Sequence, residues 1–436
     1  MAGPAAATAT THESSVPRYG PALALLTTLF FMWGFISAIN GTLLPHLRSV
    51  FQLNYFQTTL TEWIWFVGYL VASIPAAFLI ERIGYKRALT VGLGVMTVGS
   101  LGMVLAASIP SYWVTVASMF VVSSGIALLQ VAANPYVAVI GPPESSESRL
   151  TLVQAFNTTG DVLAIVFGTH LILARTTGGT SGENVHLTYA QRMADAQATE
   201  LPYFIIAGVL AVLAVMIALA RLPELGASTR RIAAEQRKHL SLWKHRNLVF
   251  GCGGIAACVW AEISVGSLFI NFASQPSVAN ITHDQAAFYL NFFWGGMMVG
   301  RFAGAFIMRS IPPEKVLAVF ALGGAIASLA AVFAHGPAAM YALITVGLFT
   351  SIMFPTIFAL AIRGLGPLTE EGSGWLIWAI AGGGLVVVNG KVADLFGIHW
   401  AFLLTALCEL YVLFYALWGA KPTHAFTPEQ LTSGAA

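Results

Sequence analysis

Twelve separate stretches of this chain stay apolar for about the 20 residues a helix needs to cross a bilayer core, and no other feature narrows its possible folds as far. They run over about 22–46, 58–80, 88–108, 112–140, 151–174, 201–221, 247–273, 285–308, 315–334, 338–362, 373–395 and 399–419. The hydrocarbon interior offers no water to backbone N–H and C=O groups, so a segment lying in it must satisfy them internally, as an α-helix does. The expected fold is an all-α integral membrane protein with twelve transmembrane helices. Composition agrees. Apolar residues make up 57 % of the chain and charged residues 9 %, where a soluble domain averages about 25 % charged. So few charges could not cover a soluble globule, and the lipid bilayer is the expected surrounding partner. The net charge of +2 offers nothing to nucleic acid.

The polar stretch 222–246, with Arg230, Arg231, Arg237, Lys238, Lys244 and Arg246, divides the runs six and six. The expected organisation is a tail over 1–21, a six-helix half over 22–221, a linker over 222–246, a second six-helix half over 247–420 and a tail over 421–436. Placing the amino terminus inside puts 16 of the 21 lysines and arginines on the inner side, so both termini are expected in the cytoplasm. The first apolar run is long and has no small-residue cleavage site close behind it, so it reads as a span rather than a cleaved leader. The halves also resemble each other. Residues 68–89 (GYLVASIPAAFLIERIGYKRAL) and 296–317 (GMMVGRFAGAFIMRSIPPEKVL) share glycine at the start, Val71/Val299, Ala77/Ala305, Phe78/Phe306, Ile83/Ile311 and Leu89/Leu317. Both end in a basic turn between the second and third helix of their half. Two pseudo-symmetric halves with a site between them near the midplane are a transporter plan.

Ionisable groups inside membrane helices cost free energy and so mark candidate sites. Asp161 lies ten residues beyond Thr151, roughly 15 Å into its helix at 1.5 Å per residue. Gln154 and Asn157 precede it at spacings that place all three on one face. The stripe suits a hydroxyl-rich ligand and a titrating proton; the alternative is a structural ion pair with Arg301. Glu262, on the seventh helix, is a second carboxylate able to carry a proton or to hold a neighbouring helix. Gln130 and Asn134 share a face of the fourth helix, where Pro135 frees part of the backbone. Amides both donate and accept, as sugar hydroxyls require, though they also join helices. Trp33, Trp63, Trp65, Trp294, Trp375 and Trp378 could stack on a sugar ring or anchor at the interface. Trp375 and Trp378 are the chosen pair because Gly382–Gly384 nearby allow a bend. Asn271 joins the site only if the seventh helix breaks near Gly266. Glu81, Arg82 and Arg301 are the expected ion-pair members of an inner gate. Lys391 and Asp394 are spaced for a local pair, and Glu409 has no evident partner.

Cys252, Cys258 and Cys408 lie in apolar runs without metal-site spacing, and no metal or cofactor is expected. There is no HExxH, GxSxG or Walker A motif, so the chain does not read as an enzyme, and transport would be gradient-driven or downhill.

Several segments carry a family resemblance: LFFMWGFISAINGTLLPHL (29–47), LLQVAANPYVAVIGPPESSESRLTLVQAFN (128–157), VWAEISVGSLFINF (259–272), VGRFAGAFI (299–307) and FPTIFALAIRGLG (354–366). They resemble the fucose–proton symporter family of the major facilitator superfamily, and most of all its glucose/galactose transporter branch. The resemblance implies uptake of a monosaccharide by alternating access in a bacterial inner membrane, with a proton or sodium as the coupling ion, by a monomer. It implies that Asn40, Asn134, Gln154 and Asn157 line a polar cavity. The two membrane acids that carry coupling in the fucose members are absent: Gly41 and Gln130 stand at those positions. Gln130 and Glu262 are similar to the glucose/galactose branch, whereas Asp161 stands where relatives usually carry a small or neutral residue. The expected function is proton-coupled sugar symport with Asp161 or Glu262 titrating. The alternatives are a facilitator or a sodium symporter, and beyond them a non-transporting sugar sensor or a multidrug efflux protein.

Overall fold

The computed structural model describes residues 19–51, 55–109, 111–167, 188–197, 199–220, 222 and 241–423. Among them there is no strand. The first half contributes α1 (Gly20–Phe51), α2 (Tyr55–Ile83), α3 (Tyr85–Ser108), α4 (Tyr112–Val139), α5 (Ser146–Phe167), the short α6 (Tyr189–Gln197) and α7 (Glu200–Leu219). The second contributes α8 (Arg246–Ala273), α9 (His283–Ile307), α10 (Pro313–Phe333), α11 (Pro337–Thr350), α12 (Met353–Ile362), α13 (Thr369–Trp378), α14 (Val386–Phe396) and α15 (Ile398–Phe414). The predicted tails and the linker fall mostly outside the described residues.

Ten stretches among the described residues are long and apolar enough to cross a bilayer. The other two of the expected twelve correspond to α5 and α9, which form as helices; part of the expected 151–174 span lies outside the described residues. α5 carries Gln154, Asn157 and Asp161, and α9 carries Asp284, Asn291 and Arg301. These two pack against each other across the halves. Gln154 and Asn157 of α5 and Arg301 of α9 are buried in protein, whereas Asp284 and Asn291 are exposed.

Two of the spans read in sequence are not uniform helices. The expected span 338–362 is two helices, α11 and α12, because Pro355 has no N–H to give the carbonyl of Ser351 one turn earlier. The expected span 373–395 is interrupted by a tight 3-10 stretch, Ala379–Leu385, where three consecutive glycines weaken helix propensity. α8, in contrast, runs unbroken through Gly266. The break that would turn Asn271 toward the site is absent, and its exposed side chain is therefore removed from the candidate lining.

Within the first half α1 lies along α5, and α4 lies between α2 and α3. In the second, α10 packs on α11 and α15, and α8 on α12 and α15. The α1–α5 contact brings the two backbones close together: a Cβ on Gly34 would stand 2.1 Å from the Asn157 carbonyl, and one on Gly160 2.2 Å from the Phe31 carbonyl. Across the halves α5 meets α9 and α12, and α13 meets α2 and α4.

Candidate functional site

Five helices, α2, α4, α5, α8 and α9, bring polar side chains to the seam between the halves. On α4, Gln130 donates from Nε2 to the hydroxyl of Tyr69 on α2 at 2.7 Å. One turn on, the Asn134 Oδ1 accepts from Gln154 Nε2 of α5 at 3.2 Å. All four are buried. Each α4 amide keeps one buried atom without a partner, the acceptor Oε1 of Gln130 and the donor Nδ2 of Asn134. An unmet buried polar atom costs about 1–3 kcal/mol, which a ligand offering both a donor and an acceptor would relieve.

Asn157 takes a different part. Its Nδ2 donates to the Phe30 carbonyl of α1 at 2.9 Å. It thus fastens α5 to α1 where the backbones come closest. Asn40 is carried by α1, but its side chain lies outside the described residues.

Arg301, on α9, is buried. Its Nε donates to the Ser351 carbonyl, the acceptor freed by Pro355, at 3.0 Å. Its Nη1 donates to the Gln154 carbonyl at 3.1 Å and to the hydroxyl of Thr158. The guanidinium therefore ties a broken helix of the second half to the polar stripe of the first. Its partners are backbone carbonyls and a hydroxyl, not the ion-pair partner expected of it in an inner gate. Glu262 and Asp161 both lie near enough to interact with the Arg301 charge. Both are half-buried, and neither forms a hydrogen bond or ion pair among the described residues. The structural Asp161–Arg301 pair weighed from the sequence is thus not formed. Two carboxylates and one guanidinium share the seam with open oxygens on both acids.

The aromatic pair lies elsewhere. Trp375 packs edge-on against Trp243 at 5.0 Å and Trp378 at 5.7 Å, so the three rings form a ladder running from the 3-10 turn Leu242–Lys244. Trp378 is 41 % exposed. Nothing joins either ring to the amide cluster.

The seam is closed at the end that bears the basic turns. Arg363, just past α12, forms ion pairs with Glu147 of α5 at 2.6 Å and Glu314 of α10 at 2.7 Å. Burial opposes its charge, but the two carboxylates outweigh that and hold the guanidinium above its ordinary pKa. Ser148 donates to the Ala305 carbonyl at 2.6 Å, and the Tyr85 hydroxyl to Glu370 at 3.2 Å. Arg82, expected in this gate, is exposed and forms no such pair; Glu81, one residue earlier, is half-buried. Lys391 and Asp394 are both exposed and do not pair with each other. Sequence reasoning missed Tyr69, Thr158, Ser351 and the Glu147–Arg363 pair. Glu147 and Arg363 could have been suggested by their opposite charges in loops of the same predicted side; the others carry no sequence signal.

Residues 25–388 match the family described as Major Facilitator Superfamily. A glucose/galactose transporter of Brucella abortus (strain 2308) is 45 % identical over 412 residues, covering 94 % of this chain and 97 % of that protein. The L-fucose-proton symporter of Escherichia coli (strain K12) is 33 % identical over 410 residues, covering 90 % and 92 %. Among solved structures, the transporter FucP in the outward conformation superposes with a TM-score of 0.81 at 30 % identity, covering 92 % of this chain and 99 % of that one.

Proposed function

Because the chain belongs to the Major Facilitator Superfamily, we propose that it carries a monosaccharide across a bacterial inner membrane by alternating access between its two halves. The observation that carries the sugar reading is the buried amide cluster: Gln130 and Asn134 each hold one unpartnered polar atom at the seam. A hydroxyl both donates and accepts, so neighbouring hydroxyls on a ring meet such a pair without bringing in charge. The names of the relatives, glucose/galactose transporter and L-fucose-proton symporter, point to the same class of cargo. In this reading both termini face the cytoplasm. The 22–221 and 247–420 halves rock about the seam, and the Arg363 contacts close the cytoplasmic end.

The coupled ion is a proton, and Asp161 carries it, with Glu262 as the second acid. Support comes from their position: each carboxylate is open, lies at the seam, and feels the Arg301 charge. An acid that loses its proton there is drawn to Arg301, which changes the contact between α5 and α9. Counterflow of a panel of labelled hexoses in proteoliposomes, with and without proton and sodium gradients, tests both parts. Hexose exchange with accumulation driven only by an inward proton gradient is expected. Asp161→Asn should retain counterflow and lose accumulation. Sugar-driven proton uptake unchanged in that variant would remove Asp161 from the mechanism, and no hexose exchange at all would remove the sugar reading.

A further inference from the structure

Glu409 of α15 is fully buried, and neither of its carboxylate oxygens has a hydrogen-bond partner. It belongs to no part of the seam described above. The carboxylate lies flat against α10: a Cβ on Gly324 would stand 2.9 Å from its Oε2. The helices α10 and α15 are antiparallel neighbours, as further contacts toward the other end of the pair confirm. Phe333 packs edge-on against Trp400, and the Ala331 carbonyl lies 3.2 Å from the His399 Nδ1. In this register the residue one turn beyond Gly324 on α10 is Ser328, and the residue one turn before Glu409 on α15 is Thr405. The two stand opposite each other.

Ser328 and Thr405 are also fully buried, and both hydroxyls lack a partner. Ser37, Ser73, Ser100, Thr151 and Ser274 also carry buried hydroxyls without a partner, but none of these stands on α10 or α15, the helices that meet at the Glu409 carboxylate. Thr97, Ser264, Thr350 and Ser373 each turn the hydroxyl back onto a carbonyl of the preceding turn. Ser328 and Thr405 forgo that bond. By this register, four unpartnered oxygens, two from a carboxylate and two from hydroxyls, lie along one interface between two helices, none of them bonded to another.

An ionised carboxylate buried without compensation is expensive by several kcal/mol. A proton would remove the charge, yet it would leave the new O–H and both hydroxyls without acceptors. A small hard cation reaching all the oxygens would satisfy the charge and the lone pairs together. Among the described residues no group of three His, Cys, Asp or Glu side chains could hold a transition metal, and one carboxylate balances a single positive charge. We propose that Glu409, Ser328 and Thr405 form a sodium site inside the second half. The site is adjacent to the seam. Cys258, one turn before Glu262 on α8, lies within electrostatic range of both Glu262 and Glu409. An ion bound at Glu409 thus sits across one helix from an acid of the central cluster.

The test is thermal unfolding of the purified full-length protein in detergent, without sugar, titrated with sodium chloride or choline chloride at constant ionic strength and pH. Sodium should raise the midpoint saturably and choline should not. Ser328→Ala with Thr405→Val, which keeps the shape of the helix contact, should weaken the apparent sodium affinity at least about tenfold. Glu409→Gln should remove the response. Asp161→Asn should leave it in place, which separates this site from the central one. Equal midpoints in sodium and choline for the unmodified protein would overturn the site, as would an unchanged sodium response in the double variant. Should Glu409→Gln fail to fold, the double variant alone decides. Loss of the response in Asp161→Asn would move the ion to the seam and overturn the assignment to Glu409.

Discussion

Gln130 and Asn157 show how one residue type serves two ends. Both are buried amides on faces that a helical wheel turns inward. Asn157 gives its donor to the Phe30 carbonyl on α1, so its work is to join helices. Gln130 gives its donor to Tyr69 and keeps its acceptor open, so it is the residue to lose when a ligand is to be weakened. Gln130→Ala removes one or two hydrogen bonds to cargo, each worth about 0.5–1.5 kcal/mol. Half-saturation of hexose counterflow should rise by roughly 2- to 150-fold, with little change in the thermal midpoint without sugar. Asn157→Ala should do the reverse and lower the midpoint first. A common loss of affinity and stability in both variants would show that the two amides do not divide in this way.

At the scale of elements, two joints decide the geometry of the seam. The first is the α1–α5 contact. Gly160→Val would drive a side chain into the Phe31 carbonyl and Phe35 amide, and such overpacking costs about 1–3 kcal/mol or more. Folded yield on size exclusion should fall sharply, whereas Gly384→Ala, where an added Cβ meets nothing within 4 Å, should be recovered normally. The second joint is the break between α11 and α12. Pro355 withholds a donor from the Ser351 carbonyl and Arg301 supplies one from another helix. Arg301→Met should therefore destabilise less when Pro355→Ala has restored the local N–H. A double-mutant cycle by denaturant unfolding should show a coupling of about 1 kcal/mol. Strict additivity would mean that Arg301 stabilises the chain only through Gln154 and Thr158.

For the whole molecule, the proposed function makes the contacts joining the halves at the basic end a closure. Glu147, Arg363 and Glu314 gather three charged groups from α5, the end of α12 and α10. Glu147 is nearly buried while Arg363 is 42 % exposed. The pair is thus partly shielded from salt, and its loss leaves a carboxylate facing protein. Arg363→Ala should shift the population toward the state open at this end. A thiol-reactive label at a cysteine placed near Ala305 should then react faster, while sugar affinity changes little. Unchanged labelling would assign closure to Ser148 and Tyr85 instead.

Hydrophobic run length alone fixes that the chain is a bundle of membrane helices, because lipid leaves the backbone no other way to satisfy itself. The six-and-six division and the repeated 68–89 and 296–317 segments are expectations of the same kind, read from spacing along the chain. Asp161, Glu262, Gln130 and Asn134 could be picked out because polar groups in apolar runs are conspicuous. What they do with one another was not legible. Arg301 as a bridge between halves, rather than the partner of Asp161, depends on a carbonyl freed by Pro355 fifty-four residues away. Asn271 was lost because an unbroken α8 turns it away. Apolar run length marks which stretches of this chain can cross a membrane. Only packing decides which polar group meets which, because a hydrogen bond is made between positions in space and the sequence orders them along a line.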